Sequence, residues 1–244
     1  MTARIDRLWP DPAENLSDDD LVERLRAHAG LRVNFVESID GAATVDGHSG
    51  GMSDAADKRR FELLRRVADA VIVGAGTVRI EGYGPLRVSD ASARWRAANG
   101  MSEHPVFVIV SRSLGLDPGS RIFTEARVRP IIVTTAAPKG AAARARFDGV
   151  ADVIAVGDVS VDLVAAVAEL RRRGLTQLLS EGGPSLFGSL LAADLVDELA
   201  VTIAPQVNSG EATRIVRAVA ESPQQMQLTE VLKSGSGLLL RYRR

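Results

Sequence analysis

Short apolar runs rich in valine and isoleucine recur along the chain, and they constrain its fold more than any other feature. Each of the following runs has the length and composition of a buried β-strand: LRVNFVES (31–38), AVIVGAG (70–76), VFVIVS (106–111), PIIVTT (130–135) and VIAVG (153–157). Parallel strands need long crossover connections, which are usually helices. Runs of this kind with helical segments between several of them therefore predict an α/β fold with a largely parallel sheet.

Helical spacing and capping residues place the helices. Helices are predicted over 18–29, 54–69, 161–173 and 184–191. Ser17 is suited to cap the first of them, and Ser53 or Asp54 the second. Phe61 and Leu64 recur at helical spacing within the second helix, so this helix is expected to pack on the sheet.

The remainder of the chain completes the predicted sheet. Strands are expected over 176–180 and 198–205, and the tail predicts an antiparallel hairpin around Gly235–Gly237. Residues 1–30 are expected to be an N-terminal arm, irregular over 1–16, with a short helix, followed by one domain over 31–244. Residues 87–104 are expected to form the most mobile loop.

Composition excludes several classes of function. The chain has no cysteine and three histidines, so disulfides, thiolate metal sites and cysteine nucleophiles are excluded and no metal is expected. A formal net charge of -1 and an aromatic content of 4% argue against nucleic-acid binding. The chain shows neither an apolar signal region nor an apolar stretch near the roughly 20 residues of a membrane span, and a cytoplasmic location is expected.

The segment VIVGAGTVR (71–79) is the first candidate for ligand binding. Gly74 and Gly76, followed by Thr77, would let the backbone approach a ligand closely at the end of a strand. Arg79 stands where the dinucleotide fingerprint G-x-G-x-x-G would have its last glycine. A tight strand-to-loop turn without a ligand explains the same pattern equally well.

The segment LLSEGGPSLFGSLL (178–191) is the stronger candidate. Gly182-Gly183 follows a buried strand, and Pro184 suits the first position of a helix. A free helix N-terminus beside a strand's carboxyl end is where such sheets bind phosphates, so a pyrophosphate cradle is favoured over a simple tight turn.

Ser111 and Arg112, at the end of another predicted strand, would offer a hydroxyl and a cation to a 2′-phosphate. That pairing would select NADPH over NADH, whereas a solvated surface arginine is the alternative interpretation.

Asp57 is the candidate catalytic residue. It shares the helical stripe of Phe61, Leu64 and Ala68, and a core-facing carboxylate in a first helical turn is unusual because burying a charge is costly. It would bind the ring nitrogens of a pterin or pyrimidine by paired hydrogen bonds and assist protonation. A surface carboxylate stabilised by the helix dipole is the alternative.

Five motifs in order resemble the C-terminal reductase domain of the bifunctional riboflavin deaminase-reductase, from about residue 31 to the end. They are Ser38–Gly41, Leu63–Arg65 with Ala70–Gly74, Gly76–Val78, Glu181–Pro184 and Leu195–Leu199. The resemblance implies a dihydrofolate-reductase-like fold, a homodimer, and NADPH-dependent reduction of the ribosylamino group of 5-amino-6-(5-phosphoribosylamino)uracil to the ribitylamino form.

The resemblance also assigns residues to the two ligands. The residues implied to face the substrate are Ser49, Arg65, Arg87 and Glu181, with the arginines suited to its phosphate. Those implied on the cofactor side are Thr77, Glu81, Ser111 and the stretch from Gly183 to Ser189, which includes Ser185 and Leu186.

The chain departs from the family's pattern at several points. The deaminase half is absent, so the chain is expected to be a stand-alone reductase. The family's Asp-Asn-Pro or Asp-Asp-Pro after the Thr-Val pair is replaced by Glu81-Gly82-Tyr83-Gly84-Pro85, and a frequent tryptophan before the substrate helix is replaced by Gly51.

Two other functions remain open at this stage. Ala56-Asp57-Lys58 resembles the helix of dihydrofolate reductase that carries its substrate carboxylate, and the chain is similar to actinobacterial stand-alone members implicated in dihydrofolate reduction. Reduction of dihydrofolate is therefore one alternative. A non-catalytic sensor that binds NADPH is the other.

Overall fold

The computed structural model describes residues 3–137, 140–218, 220–221 and 223–244. Its strands are β1 (Asp6–Trp9), β2 (Gly30–Ser38), β3 (Ala70–Gly74), β4 (Val106–Val110), β5 (Ile131–Thr134), β6 (Asp152–Ala155), β7 (Gln177–Ser180), β8 (Glu198–Ala204), β9 (Gln227–Ser234) and β10 (Gly237–Arg243). Its α-helices are α1 (Asp18–Arg26), α2 (Ala55–Val67), α3 (Ala75–Ile80), α4 (Asp90–Ala98), α5 (Arg121–Thr124), α6 (Ala141–Ala145), α7 (Leu163–Arg172) and α8 (Pro184–Ala192).

The strands form one mixed sheet in the order β1-β9-β10-β8-β2-β7-β3-β4-β5-β6. All neighbours from β8 to β6 are parallel, and β10, β9 and β1 continue the sheet antiparallel. Gly235, with a φ of 56°, lies in the turn between β9 and β10, in the left-handed region that glycine adopts readily. The predicted α/β fold, with a mostly parallel sheet and a C-terminal antiparallel hairpin, is confirmed.

Two hydrophobic layers hold the helices on opposite faces of the sheet. On one face α1 and α2 pack through buried residues such as Leu21 and Leu64. On the other face α7 and α8 pack through Leu170 and Phe187. Both faces of the central strands are thus covered, which explains why those strands are nearly continuous apolar runs.

Helix α2 begins as predicted. Asp54 is its N-cap, and its side chain accepts hydrogen bonds from the backbone N–H groups of Ala56 and Asp57. A single 3-10 turn over Gly50–Met52 precedes Asp54 and lies against β2. The first turn of α2 is thereby fixed at the edge of the sheet where the carboxyl ends of the parallel strands lie.

The expected mobile loop over 87–104 contains helix α4 instead, so that prediction is wrong. Ser89 caps the helix, accepting a hydrogen bond from the backbone N–H of Ser92. Arg96 is buried and donates to the backbone oxygens of Arg66, at 3.0 Å, and Ser102, at 2.7 Å. These tertiary contacts order the segment, although its sequence is too polar to show a helical stripe.

The N-terminal arm also differs from its prediction as irregular. Residues Asp6–Trp9 form strand β1, which pairs antiparallel with β9 at one edge of the sheet. Pro10 follows immediately and ends the strand, since proline donates no backbone hydrogen bond. Within the described residues, no helix is long and apolar enough to cross a membrane.

Candidate active site

A cavity of about 510 Å³ opens at the carboxyl ends of the parallel strands, between α2 and the start of α8. Its volume suits a small-molecule ligand. Of the predicted site residues, it is lined by Ser49, Asp57, Thr77, Glu81, Glu181, Gly183, Pro184 and Ser185. Phe35, Phe61 and Ile80 supply apolar wall between these polar groups. We call this space the first cavity.

A second cavity, of about 640 Å³, lies on the other side of the same helix N-terminus. It is lined by Gly74, Gly76, Ser111, Arg112 and Leu186 among the predicted residues, and by Arg79, Ser113 and Ser189 in addition. Ser185, in the first turn of α8, lines both cavities. An elongated ligand that follows this turn would therefore extend from one cavity into the other.

The turn between β7 and α8 requires glycine. Gly182 has a φ of 79°, and a Cβ on it would lie 2.5 Å from the ring of Phe35. A Cβ on Gly183 would overlap the hydroxyl oxygen of Thr77. The backbone N–H of Gly74 donates to the carbonyl oxygen of Gly182 at 2.8 Å, which joins the two glycine-containing segments. The two motifs form one surface, where the backbone can approach a ligand closely.

The polar groups of the second cavity fit a phosphorylated nucleotide. Ser111 is 3% exposed, and its hydroxyl oxygen has no hydrogen-bond partner in the described part of the chain. Arg79 and Arg112 line the same cavity. A buried hydroxyl without a partner is costly unless a ligand satisfies it, and two guanidinium groups favour an anion. A dinucleotide cofactor with phosphates at the N-terminus of α8 meets these requirements.

Asp57 lies in the first turn of α2 and is 6% exposed, on the wall of the first cavity. The hydroxyl of Ser53 donates a hydrogen bond to its Oδ2 atom. Oδ1 has no hydrogen-bond partner among the residues that the structure describes. Asp57 is therefore not the exposed carboxylate of the alternative interpretation; the neighbouring Asp54 is exposed and caps the helix.

The partly exposed Arg65 forms an ion pair with the buried Glu181 beside the first cavity. The Nε and Nη2 atoms of Arg65 donate to the two carboxylate oxygens of Glu181 at 2.6 and 2.7 Å. The hydroxyl of Tyr83 donates to Oε2 of the same carboxylate at 2.8 Å. Burial and the Glu181 charge raise the pKa of Tyr83 well above its ordinary value, so the phenol stays protonated. For Arg65, burial lowers the pKa, but the Glu181 charge outweighs it and raises the pKa.

Arg87 does not join this site. It is exposed on the surface, with its guanidinium 3.7 Å from the Glu125 carboxylate, and it lines neither cavity. The cations on the wall of the first cavity are Lys58 and Arg217 instead. The backbone N–H of Arg217 donates to the oxygen of Pro184 at 3.0 Å, which fixes this residue near the start of α8.

Lys58 and Arg217 line the first cavity but were not predicted from the sequence as site residues. Lys58 follows Asp57 on the same helix and was identifiable as a neighbour of the candidate carboxylate. Arg217 lies in a long segment between β8 and β9 without periodicity, so nothing in the sequence placed it at the cavity. Within the described ranges, no cluster of three or more histidine, aspartate or glutamate side chains is arranged to hold a metal ion.

Comparison with known proteins identifies sequence relatives over most of the chain. The sequence model of the RibD C-terminal domain matches residues 29–240. The 2,5-diamino-6-ribosylamino-4(3H)-pyrimidinone 5′-phosphate reductase of Methanothermobacter thermautotrophicus is 33% identical over 182 residues, which are 75% of this chain and 80% of that protein. The reductase of the same name from Archaeoglobus fulgidus is 30% identical over 175 residues, which are 71% of this chain and 78% of that protein.

A solved structure supports the same relationship. The crystal structure of a pyrimidine reductase-like protein from Corynebacterium diphtheriae superimposes with a TM-score of 0.83. The two are 27% identical, and the match covers 93% of this chain and 98% of the other. The match extends over nearly all of both chains, so the sheet and the helices that flank it correspond.

Proposed function

The chain belongs to the RibD C-terminal domain family, and we propose that it is a nicotinamide-dependent reductase of a 6-(5-phosphoribosylamino)pyrimidine in riboflavin biosynthesis. The sequence predicts the 5-amino-uracil form of this substrate, and the relatives' names carry the 2,5-diamino form. The observation that carries the proposal is the pair of cavities that meet at Ser185. The second cavity suits a phosphorylated cofactor, and the first cavity presents Asp57 and Glu181 to a polar ring.

The proposed reaction opens the ribose ring. The bond between the sugar C1 and its ring oxygen breaks, a hydride adds to C1, and the released oxygen takes a proton. A bound nicotinamide cofactor supplies the hydride. The chain's own residues bind and orient: Asp57 holds the pyrimidine, and the fixed Arg65–Glu181 pair shapes the wall beside it. Lys58 and Arg217, on the wall of the first cavity, would bind the substrate phosphate, which was the role expected of Arg87.

We further propose NADPH as the cofactor. The second cavity contains Arg79 and Arg112 beside the Ser111 hydroxyl, which has no partner among the residues that the structure describes, and this set suits a 2′-phosphate that NADH lacks. The same proposal assigns the phosphates to the backbone of Gly74, Gly76 and Gly183 and to the first turn of α8.

The test is oxidation of reduced cofactor by the purified protein. NADPH is supplied with 5-amino-6-(5-phosphoribosylamino)uracil, its 2,5-diamino counterpart or dihydrofolate in parallel reactions, and NADH replaces NADPH in a second set. Turnover of a pyrimidine with NADPH is the expected result, and no turnover of either pyrimidine contradicts the proposal. NADPH that binds without being consumed by any acceptor would favour the non-catalytic sensor.

Dihydrofolate reduction is a second candidate because Asp57 is buried on the cavity wall. A pterin presents an N–H and an amino group side by side, and a carboxylate binds such an edge by paired hydrogen bonds. This candidate expects turnover of dihydrofolate, binding of antifolates and loss of both in Asp57→Asn. Absence of dihydrofolate turnover removes it without affecting the pyrimidine proposal.

A homodimer in the cytoplasm completes the proposal. Ile39 and Val207 are 63% and 68% exposed, and the backbone N–H of Ile39 donates to Gln206, so these apolar side chains come from neighbouring segments. Together they would form the centre of a contact with a second copy, since apolar side chains exposed side by side are found at interfaces. Light scattering with size-exclusion chromatography is expected to give twice the mass of the chain, and a monomer mass at micromolar concentration would contradict this part.

A further inference from the structure

A third cavity, of about 600 Å³, lies between helix α1 and the antiparallel part of the sheet. Its wall includes Arg243 on β10, which lies opposite Glu198, the first residue of the parallel strand β8. This cavity is therefore near the amino ends of the parallel strands, whereas the first and second cavities are at their carboxyl ends. Of the described residues, none lines both the third cavity and either of the other two. A ligand here would leave the proposed substrate and cofactor sites free.

Arginines supply the positive charge of the third cavity, whose wall includes Arg7, Arg24, Arg241 and Arg243. Arg241 is 3% exposed, and the side chain of Arg24 is 29% exposed. The Nε atoms of these two arginines are shielded from solvent and have no hydrogen-bond partner within the described ranges. They lie 2.9 Å (Arg24) and 3.5 Å (Arg241) from oxygens of the Glu230 carboxylate, so one negative charge serves two guanidinium groups. The pair is therefore short of acceptors, which is costly for buried donors.

The ion pairs behind this wall contain more positive than negative charge. They join two buried carboxylates to four arginines: Glu198 to Arg32 and Arg243, and Glu230 to Arg24 and Arg241. Positive charge that is removed from water without a full complement of anions is costly. Burial lowers the pKa of Arg241, and the charges of Arg32 and Arg243 act in the same direction against that of Glu230. An anion in the third cavity would offset this excess.

The carboxylates on the wall of the third cavity lie at its exposed rim. They are Glu14, Asp20 and Glu23, all of them exposed. Arg4 donates to Glu14 at 2.8 Å, and Asp20 accepts from the backbone N–H and the hydroxyl of Ser17 within the cap of α1. Negative charge at the entrance would repel polyanions such as nucleic acid. The third cavity therefore suits a small molecule with one anionic group.

Going beyond the proposed function, we propose that the third cavity binds a small oxyanion, a phosphate or a carboxylate group, beside Arg24 and Arg241. The planar guanidinium group presents paired N–H donors that match the oxygens of either group. Arg241 also donates from Nη1 to the backbone oxygen of Arg24 at 2.9 Å, so both arginines belong to the contact between α1 and β10. A bound oxyanion would strengthen that contact at the edge of the sheet opposite the reductase site.

The test follows the histidine side chains of the wild-type protein by NMR over a range of pH, as inorganic phosphate or acetate replaces chloride at constant ionic strength. His28 lines the third cavity, and its pKa is lowered by burial and by the charge of Arg243. An oxyanion beside the arginines is expected to raise the pKa of His28, with half-saturation at about 1 mM. His104, which accepts a hydrogen bond from the backbone N–H of Val88 and lies outside the three cavities, is the internal control and is expected to stay unchanged.

The two anions distinguish the possible ligands. A response to phosphate alone assigns a phosphate group to the third cavity, and a response to acetate alone assigns a carboxylate. Phosphate bound in the first or second cavity would leave His28 unchanged, because those cavities open at the opposite edge of the sheet. A constant pKa of His28 in about 50 mM of either anion overturns the proposal, and this result needs no variant to fold.

A matched pair of variants tests the arginines. Arg24→Gln is expected to raise the Kd of the oxyanion about 10-fold, because it removes one of the two guanidinium groups. Arg26→Gln is the same change two positions later on α1, at an exposed arginine outside the third cavity, and is expected to keep the wild-type Kd. Equal weakening by both variants would overturn the proposal, since it would show that the anion responds to the charge of the surface as a whole.

Discussion

Tyr83 shows how one hydrogen bond can set the geometry of a site. Its hydroxyl donates to Glu181, which lies 98 positions away along the chain, and its ring stacks on Phe107 with centroids 5.9 Å apart. Glu181 in turn holds Arg65 through two hydrogen bonds. Removing the hydroxyl leaves the ring in place and frees one side of the carboxylate, so its effect would pass through the ion pair to the cavity wall.

We therefore expect Tyr83→Phe to lower the free energy of unfolding by about 1.5–3 kcal/mol, because a hydrogen bond to a charged group contributes on that order. Through the loosened ion pair it is also expected to lower kcat/KM about 10-fold, the equivalent of roughly 1.4 kcal/mol. Steady-state kinetics and thermal melting measure the two effects. Tyr242→Phe, on β10 and outside both cavities, is the control and is expected to behave as wild type. Equal kinetics for Tyr83→Phe and wild type would show that the hydroxyl is dispensable.

Asp57 could be predicted from the sequence, whereas the role of Tyr83 could not. Asp57 was identifiable because helical spacing put it on the stripe of Phe61 and Leu64, which faces inward. The contact between Tyr83 and Glu181 depends on how β7 lies beside β3, and it occupies a position where the chain departs from the family's pattern. Arg87 was expected at the substrate from its motif position in the resembled family, whereas it lies on the surface with its guanidinium 3.7 Å from the Glu125 carboxylate.

A substitution at Gly76 is expected to affect folding stability and cofactor binding in opposite directions. Gly76 lies within helix α3 and on the wall of the second cavity, and apart from its chain neighbours and the backbone of its own helix, no atom of the described residues lies within 4 Å of where its Cβ would be. Gly76→Ala is expected to raise the stability of the cofactor-free protein by up to about 1 kcal/mol, since alanine is the better helix former. The added methyl group would enter the cavity, so the Kd for NADPH is expected to rise about 10-fold, the equivalent of roughly 1.4 kcal/mol. Thermal melting and NADPH fluorescence titration measure the two; an unchanged Kd would mean that the cofactor does not approach α3.

At the scale of elements, helix α4 fixes the end of helix α2. The buried guanidinium of Arg96 donates to the backbone oxygens of Arg65 at 3.2 Å, Arg66 at 3.0 Å and Ala68 at 2.5 Å. These carbonyl groups lie at the C-terminus of α2, where a helix has no partners of its own for them. Arg65, which holds Glu181, thus sits in a turn that a second helix stabilises.

Arg96→Ala is expected to lower the free energy of unfolding by about 3 kcal/mol or more, because it leaves several buried carbonyl oxygens without donors. Urea unfolding measures the change. Arg94→Ala, an exposed position on the same helix, is the control and is expected to stay within about 0.5 kcal/mol of wild type. A comparable loss in both variants would show that the helix, and not the guanidinium, carries the effect.

The elements that the sequence predicted and those that it missed differ in one physical respect. The central strands were identifiable because burial on both faces makes them apolar throughout, as in VIVG of β3. Helix α4 and strand β1 owe their structure to partners far along the chain: Arg96 to the end of α2, and β1 to β9. Both lie at the periphery, where local sequence is polar and tertiary contacts decide.

At the scale of the whole molecule, Glu198 joins the parallel and antiparallel parts of the sheet. It begins β8, in register with Arg32 on the parallel strand β2 and with Arg243 on the antiparallel strand β10. Both arginines form ion pairs with it, the second at 2.8 Å, and the Glu198 side chain is buried. Burial alone would raise the pKa of Glu198, but the charges of Arg32 and its neighbours outweigh burial and hold the pKa below its ordinary value.

The sign of the pH dependence follows from that direction. Since the folded-state pKa of Glu198 is lowered, its contribution to stability is present above its unfolded value, near 4.5, and is lost as the pH falls through the folded value. Glu198→Gln is expected to cost about 3 kcal/mol at pH 7, because it leaves the buried Arg32 without its charge partner. The difference from wild type should narrow as the pH falls below about 4.5, where the carboxylate of the unfolded chain is protonated first, and should vanish as the pH passes the lower folded-state pKa of Glu198. Urea unfolding from pH 7 to pH 3.5 measures it, with the exposed Glu103→Gln as control; a difference that stays constant across this range would show that shape and packing, not the ion pairs, hold the two parts of the sheet together.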